Sequence, residues 1–147
     1  MFTAKERGAK VIAGVLKKQL QQGASIGADQ VIATDDDAAI AKLPLLDAVA
    51  DTVNGQTAEK LLSKVKKGGV FASVRGAPQN AKDYPDVKVV PVYAQPDANV
   101  LVHMARAVRE RRLVIPLGTK LLLKDAEKGH AAVAKGGSGK VILVVKA

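Results

Sequence analysis

Residue types that usually carry chemistry are sparse in this sequence. It has no cysteine, which excludes disulfides, thiolate zinc sites, iron–sulfur clusters and cysteine nucleophiles. Its two histidines, His103 and His130, fall on separate predicted helices, and neither has a second His or Cys at ligand spacing. Asp35, Asp36 and Asp37 are consecutive, so their carboxylates do not converge like the alternating ligands of a calcium loop, and helix capping explains them better. The sequence therefore predicts no metal site.

Positive charge is the strongest chemical bias of the chain. Its 147 residues include 23 Lys and Arg against 14 Asp and Glu, a net charge of +9. This excess favours an anionic partner, with nucleic acids and phosphorylated cofactors as the obvious classes. The densest basic cluster, which Glu110 interrupts and no helix-turn-helix motif accompanies, is Arg106, Arg109, Arg111 and Arg112. Because the chain has only two Phe, two Tyr and no Trp for stacking bases, a nucleic-acid role is disfavoured.

Apolar segments rich in β-branched residues alternate with helical segments through the first two thirds of the chain. The predicted strands cover residues 11–13, 30–34, 48–53, 70–74 and 87–92. Helices are predicted over residues 17–26 and 57–66, the first ended by Gly27 and the second by Gly68 and Gly69. Repeated strand–helix–strand units predict an α/β fold, with a parallel sheet and helices on both of its faces.

The pattern changes after Pro96. Asp97 begins a predicted helix that continues to Arg112. Further predicted elements are a short strand over 113–116, an extended stretch over 119–123, a helix over 125–135 and a last strand over 140–146. We therefore divide the chain into residues 1–96 and 97–147. No apolar run is long enough to span a bilayer and no secretory signal is visible, so we expect a cytoplasmic protein.

Three groups of segments, in a fixed order, carry a resemblance to a known family. They are RGAKVIA (7–13) with IGADQVI (26–32), DAVADTVNG (47–55) with GGVFASV (68–74), and VIPLG (114–118) with DAEKGH (125–130) and GKVIL (139–143). Together they resemble the C-terminal half of the medium-chain dehydrogenase/reductase family, closest to its zinc-free, quinone oxidoreductase-like branch. The match extends over nearly the whole chain.

The resemblance implies that residues 1–96 form an NAD(P)-binding Rossmann domain without the family's first strand and glycine-rich phosphate loop. No Gly-x-Gly-x-x-Gly occurs in the sequence. Residues 97–147 would be the helix–strand–helix–strand segment that returns to the family's catalytic domain. The chain is then expected to be a fragment or a truncated relative. Loss of a central strand leaves the strands near 10–14 and 48–53 with unpaired edges, which re-pairing, a swapped segment or a partner chain would compensate.

The resemblance also singles out cofactor-binding candidates, because the carboxyl ends of parallel strands border the ligand crevice. Lys17 and Lys18 follow the first visible strand, where an acidic residue would bind the ribose of NAD and basic residues accommodate the 2′-phosphate of NADP. The stretch GVLKK has no carboxylate and favours NADP; a solvated helix start is the alternative. The other candidates, near the ribose, the nicotinamide or the closing loop, are Asn54, Gly55, Ser73, Arg75, Gly76 and Lys140. Simple turns are the alternative at Asn54-Gly55 and before Lys140.

The function that the resemblance implies is the cofactor-binding part of a zinc-independent, NADPH-dependent reductase of the quinone or enone kind, inactive in isolation. Its substrate would be a small carbonyl compound or quinone, and no catalytic residue is identified. Homodimers are expected through the strand that runs from Val87 to Val92. A non-catalytic, dimerising module derived from the family is the alternative, and a basic nucleic-acid-binding domain is the third possibility.

Overall fold

The computed structural model describes residues 1–136 and 139–145. The chain divides into two compact units, Met1–Pro96 and Asp97–Ala147. The first unit contains the strands β1 (Ile12–Val15), β2 (Gln30–Ala33), β3 (Leu46–Asp51), β4 (Val65–Ser73) and β5 (Lys88–Pro91). Its helices are α1 (Phe2–Glu6), α2 (Leu20–Ser25), α3 (Asp37–Ala41) and α4 (Gly55–Leu62). The second unit contains α5 (Ala98–Arg109), β6 (Leu117–Leu122), α6 (Ala126–Lys135) and β7 (Lys140–Val144).

All strand pairs of the first unit are parallel. β1 pairs with β2, and β3, β4 and β5 form a three-stranded sheet with β4 in the middle. Helix α2 lies between β1 and β2 in the chain, and α4 lies between β3 and β4, as parallel crossovers require. The predicted α/β class with Rossmann-like parallel sheets is therefore confirmed.

β1 and β3 each have one edge without a strand partner among the described residues. Thr34 N–H donates to Val15 O, and Val74 N–H donates to Asp51 O, so these two acceptors face the paired side of their strands. Alternate residues of a parallel strand direct their backbone groups to opposite sides. The backbone N–H and C=O groups that face the unpaired edges therefore belong to Ile12, Gly14, Ala48 and Ala50. Direct re-pairing of β1 with β3 does not occur in residues 1–136 and 139–145. A swapped segment and a partner chain stay predictions.

The main core of the first unit lies between α4 and the β3–β4–β5 sheet. Its buried apolar side chains are Ala58, Leu62, Val65, Phe71 and Val87. Phe71 and Leu62 are completely buried, because alternate β4 side chains point toward α4 and its apolar face meets them. Truncation of Phe71 to Ala is expected to cost about 3–5 kcal/mol.

A second cluster joins the β1–β2 pair to the three-stranded sheet. Ile32, Ile40 and Leu43 are buried together, and Ile12 of β1 and Leu61 of α4 pack against them. Two polar contacts reinforce this junction: Lys60 Nζ lies 2.5 Å from Asp37 Oδ1, and Lys64 Nζ donates to Ala41 O at 2.7 Å. Helix α4 thus packs against both the β1–β2 side and the three-stranded sheet.

Several element boundaries differ from the sequence prediction; α5, for example, ends at Arg109 instead of Arg112. The helix predicted over 57–66 ends at Leu62, and β4 begins at Val65 instead of residue 70, because Val65 pairs with Leu46 and is buried in the core. The strand predicted over 113–116 is wrong, since those residues have no strand partner and β6 begins at Leu117. Apolar character alone suggested a strand there, although Val114 and Ile115 are both exposed.

The second unit runs in the order helix, strand, helix and strand. Asp97 begins α5 by accepting the backbone N–H groups of Asn99 and Val100, as predicted for a helix-capping acid. β6 and β7 pair in parallel, with α6 as their crossover. Residues 137, 138 and 146 of the predicted closing loop and last strand lie outside the described residues. No helix of the described chain is both long and apolar enough to cross a membrane.

Candidate functional site

Lys17 and Lys18 open a one-turn 3-10 helix, Lys17–Gln19, that follows β1 after a single intervening residue. We call Lys17–Gln19 the lysine turn. Gln19 N–H donates to Leu16 O at 2.7 Å, and Leu16 N–H donates to Gln19 Oε1 at 3.3 Å, which closes the turn on itself. Both lysine side chains are exposed, and none of the ion pairs found among residues 1–136 and 139–145 involves them. Two cations therefore stand at the carboxyl end of β1, available to an anion.

The three consecutive aspartates after β2 make three different contacts. Asp35 Oδ1 accepts the backbone N–H of Lys17 at 2.7 Å. Asp36 Oδ1 accepts the N–H groups of Ala38 and Ala39 at 2.9 and 3.2 Å and so caps α3. Asp37 pairs with Lys60, as described above. The helix-capping interpretation holds for Asp36, whereas Asp35 reaches back to the lysine turn, a contact that sequence reasoning missed.

A buried polar pair joins the carboxyl ends of β3 and β4. Ser73 Oγ donates to Asp51 Oδ2 at 2.6 Å, and the two residues are only 1% and 5% exposed. Asp51 Oδ1 also accepts the backbone N–H groups of Val53 and Asn54, both at 3.0 Å. Ser73 Oγ in turn accepts the N–H of Arg75 at 3.0 Å. The pair fixes the backbone of both strand-end loops.

The negative charge of Asp51 is stabilised by the groups that surround it. Burial pushes the pKa of this carboxyl upward, but the hydrogen bonds from Ser73, Asn54 and Val53 and the positive charge of Arg75 outweigh that effect. The net result is a pKa below the ordinary aspartate value. Asp51 is therefore an anion at neutral pH with its hydrogen-bonding capacity largely committed to the loops, which suits a structural anchor better than a proton carrier.

Asn54 sits in a backbone conformation that normally belongs to glycine. Its φ of 68° and ψ of −167° fall in a region that costs a non-glycine residue of order 1–3 kcal/mol. Its side chain offsets this strain: Nδ2 donates to Arg75 O at 3.1 Å, and Oδ1 accepts Gly55 N–H at 2.8 Å. The turn predicted at Asn54-Gly55 is present, and it also links the loop after β3 to the loop after β4.

Gly55 and Gly76 leave open space in the two loops. Both have positive φ, 66° and 96°, and a Cβ built on either would meet no heavy atom within 4 Å. Arg75 lies between Ser73 and Gly76 with an exposed side chain, so its guanidinium is accessible from solvent. The structure thus brings together five of the predicted site residues, Asn54, Gly55, Ser73, Arg75 and Gly76. Ser73 differs from the prediction in one respect, since its hydroxyl is spent on Asp51.

Lys140 belongs to the second unit, where it opens β7. Its backbone pairs with Leu117, and its N–H donates to Pro116 O at 3.2 Å. Its side chain is exposed. The preceding Gly139 has a φ of 68°, and its Cβ would approach Gly118 N to 3.1 Å, so a glycine is required at this entry to the strand.

The arginine cluster of α5 does not form a single basic surface. Arg106 and Arg109 line a groove of about 280 Å³ together with Val102 and Ala105, and the lining is mainly apolar. Arg112 pairs with Glu110 at 2.9 Å. The groove beside Arg106 and Arg109 is therefore mainly apolar, and Arg112 is partly neutralised by Glu110.

The residues at the carboxyl ends of the strands fit a dinucleotide in part. Two unpaired lysines suit a 2′-phosphate, and two open, positive-φ glycines suit close approach of a ligand to the backbone. A Gly-x-Gly-x-x-Gly cradle for the diphosphate does not occur in the sequence. For zinc there is no fit: within the part of the chain that the structure describes, no group of three or more His, Cys, Asp or Glu side chains could hold a metal ion.

Comparison with solved structures shows what this fold is similar to. A quinone oxidoreductase from Coxiella burnetii superposes with a TM-score of 0.82 at 23% identity, and the match covers 99% of this chain and 48% of that one. A putative alcohol dehydrogenase from Sinorhizobium meliloti gives 0.79 at 20% identity, over 99% of this chain and 44% of that one. A mycobacterial protein complexed with NADPH gives 0.70 at 20% identity, over 97% and 51%. The chain thus spans about half the length of these structures.

The family assignment rests on a separate comparison. A search of curated proteins finds no significant match. The family model described as zinc-binding dehydrogenase, however, matches residues 1–107, which is well over half of the chain. The strands, the helices and the strand-end loops of the first unit all lie inside that match. This chain belongs to the zinc-binding dehydrogenase family, and it corresponds to the C-terminal, nicotinamide-cofactor-binding half of the medium-chain dehydrogenase/reductase fold.

Proposed function

We propose that this chain is the cofactor-binding portion of an NADP-linked, zinc-independent oxidoreductase of the quinone or enone reductase kind. Its family and its oxidoreductase structural neighbours support the general activity. A small carbonyl compound or quinone is the proposed substrate class, in keeping with the name of one similar structure, a quinone oxidoreductase. The preference for NADP is our inference from the lysine turn.

The observation that carries this preference is the pair of unpaired cations after β1. A phosphate on the adenosine ribose would meet Lys17 and Lys18 at the carboxyl end of that strand, where Rossmann proteins hold the ribose. A charge-assisted hydrogen bond to phosphate contributes about 1.5–3 kcal/mol, so one lysine is enough to set the preference roughly tenfold or more. No residue of β1 itself or of the lysine turn offers a competing carboxylate.

The division of labour between chain and cofactor follows from the loop geometry. When bound, the nicotinamide supplies the hydride chemistry, and the protein supplies binding and orientation. The loops after β3 and β4 would border the ribose and the nicotinamide, with Gly55 and Gly76 allowing close approach and Arg75 available to a phosphate. The buried hydrogen bond between Ser73 and Asp51 holds those loops in place.

Titration calorimetry of the purified chain with NADPH and NADH tests the proposal. We expect NADPH to bind more tightly, and Lys17→Glu to weaken NADPH by roughly tenfold or more while changing NADH by less than about twofold. The matched control is Lys42→Glu, which makes the same charge change at the end of α3 and should leave both affinities unchanged. Equal wild-type affinities for the two cofactors would refute the NADP preference.

Catalysis by the isolated chain is a separate question. We expect no NADPH-dependent reduction of a quinone by the 147 residues alone, since they span about half the length of similar oxidoreductases. Measured turnover with a quinone, above the rate for NADPH and quinone without protein, would show that the chain is a complete enzyme.

A dimerising module is the second candidate, and the free edge of β5 favours it. β5 pairs only with β4 among the described strands, and the adjoining Tyr93 is 82% exposed. Val92 N–H donates to Ser73 O, so the neighbouring Pro91 faces the open edge of β5. Because proline has no N–H, this position cannot donate a hydrogen bond to an added strand, which limits extension of the sheet. A sharply monomeric profile in multi-angle light scattering at high concentration would eliminate this candidate.

A further inference from the structure

The lysine turn is connected to the end of β2 by the carboxylate of Asp35. Asp35 Oδ1 accepts the N–H of Lys17 at 2.7 Å, whereas the other hydrogen bonds described above for the turn are internal to it. Asp35 is itself exposed, and it lies 18 positions after Lys17 in the chain. This hydrogen bond links the lysine turn directly to the segment that follows β2.

Asp35 is in turn placed by a tight junction between the ends of β1 and β2. Thr34 N–H and Thr34 Oγ1 both donate to Val15 O, at 2.8 and 3.2 Å. The methyl group of Thr34 fills the space above Gly14, where an added Cβ would come within 2.7 Å of Cγ2. A stiff β-branched residue against a glycine fixes the register of the two strand ends. Asp35 thus projects from a well-defined point.

The group that the Asp35 carboxylate contacts determines whether the charges of Lys17 and Lys18 are neutralised. A carboxylate beside two lysines could pair with an ammonium group and neutralise it, but here it takes a backbone N–H, and neither Lys17 nor Lys18 shares in an ion pair found in the described chain. Because the Asp35 carboxylate accepts from the backbone amide of Lys17, the ammonium groups are left for a ligand. The same bond holds the backbone from which they extend.

We propose that Asp35 is a positioning residue for NADP recognition: it anchors the lysine turn so that Lys17 and Lys18 meet the 2′-phosphate. This inference rests on the proposed NADP-linked function. It assigns Asp35 a role opposite to that of an acidic ribose ligand, which would accept the 2′-hydroxyl of NAD and repel a 2′-phosphate. The two roles predict opposite results when the carboxylate is removed.

The test compares Asp35→Ala and Asp35→Asn with the wild-type chain. Alanine removes the acceptor, and we expect NADPH affinity to fall about fivefold or more with NADH changed less than twofold, although a negative charge has been deleted. Asparagine keeps an oxygen that can accept the Lys17 N–H, and it should keep the wild-type NADPH:NADH ratio within about threefold. The control is Asp86→Asn, which removes an exposed carboxylate from the residue pair Lys67–Asp86 before β5.

A second readout does not depend on the cofactor. Hydrogen exchange at the backbone amide of Lys17 should accelerate at least tenfold in Asp35→Ala and remain near the wild-type rate in Asp35→Asn and Asp86→Asn. A merely stabilising role would change the melting temperature without changing the NADPH:NADH ratio, and that result would overturn the proposal. So would a ratio that rises in either Asp35 variant, because it identifies Asp35 as a ribose ligand.

Failure of the proposed function looks different. If the wild-type chain binds neither NADPH nor NADH, the NADP-linked function is refuted and the recognition role of Asp35 falls with it. If the wild-type chain prefers NADPH but Asp35→Ala retains that preference, only the Asp35 proposal is overturned.

Discussion

Ser73 Oγ lies 2.6 Å from Asp51 Oδ2 and donates a hydrogen bond to it across the boundary between β4 and β3. Through this contact the last residues of two neighbouring strands share one buried carboxylate, which also holds the N–H groups of Val53 and Asn54. The loops that carry five candidate cofactor-binding residues are therefore built on a polar pair that faces the protein interior.

Removing either partner of this pair should destabilise the first unit. Ser73→Ala is expected to cost about 1–3 kcal/mol, because it leaves a buried charged acceptor with one donor fewer. Asp51→Ala should cost more, about 3 kcal/mol or above, because it orphans the Ser73 hydroxyl and two backbone N–H groups at once. Urea unfolding monitored by circular dichroism measures both values. Ser63→Ala, at an exposed position after α4, is the control and should change stability by less than about 0.5 kcal/mol.

The low pKa of Asp51 makes stability depend on pH in a defined direction. Because the folded-state pKa lies below the unfolded value of about 3.9, the stabilisation is fully present above pH 4–5 and is lost as the pH falls through the folded-state pKa. Asp51→Asn should therefore flatten the decline in unfolding free energy between about pH 5 and pH 2. If the variant declines as steeply as the wild type over that range, Asp51 does not contribute to the acid sensitivity.

Two substitutions of Asn54 separate the stabilisation by its side-chain hydrogen bonds from the cost of its strained backbone. Asn54→Gly relieves the unfavourable φ and ψ but loses the bonds to Arg75 and Gly55, so the two effects oppose each other and we expect a net change below about 1 kcal/mol. Asn54→Ala loses the bonds and keeps the strain, and should cost about 2 kcal/mol more than the glycine variant. Thermal or urea unfolding of both variants gives the difference, and equal stabilities would mean that the conformation is not strained.

Arg111 provides a stabilising substitution in the second unit. Its φ of 57° is left-handed, and Arg111 N–H and Arg112 N–H donate to Val108 O and Ala107 O in the pattern that ends a helix with glycine. Arg111→Gly should therefore stabilise this unit by about 1 kcal/mol. Arg109→Gly, inside the last turn of α5, should destabilise it by a similar amount. A rise in melting temperature for the first and a fall for the second would bear this out; a fall for both would contradict it.

The sequence was sufficient for the fold but not for the contacts of the candidate site. β-Branched runs separated by helical segments correctly predicted that the first unit contains parallel strands, because buried strands and crossover helices leave periodic signals. Val65 was assigned to a helix since its spacing continues the apolar face of α4, and only pairing with Leu46 shows it to be a strand residue. The bond from Asp35 to Lys17 has no periodic signature, because it joins residues 18 positions apart through a side chain and a backbone amide.

Asp51 is a second residue whose role the sequence alone does not reveal. It stands in a strand segment that composition marks as buried, and an isolated aspartate there gives no hint of whether it is catalytic, exposed or structural. Its role becomes clear only when Ser73, 22 positions later, is placed beside it by the parallel register of β3 and β4. The turn at Asn54-Gly55, by contrast, was predictable because turn chemistry is local.

The open sides of β1 and β3 have a practical consequence for the folded chain. Gly14, Ala48 and Ala50 are small, uncharged and exposed, and no proline or lysine lies among them to discourage another strand from adding. Native sheet proteins usually protect such edges with charged side chains, prolines, β-bulges or a covering helix or loop. In the part of the folded chain that the structure describes, these edges have no strand partner, so we expect concentrated solutions of this chain to self-assemble through backbone pairing.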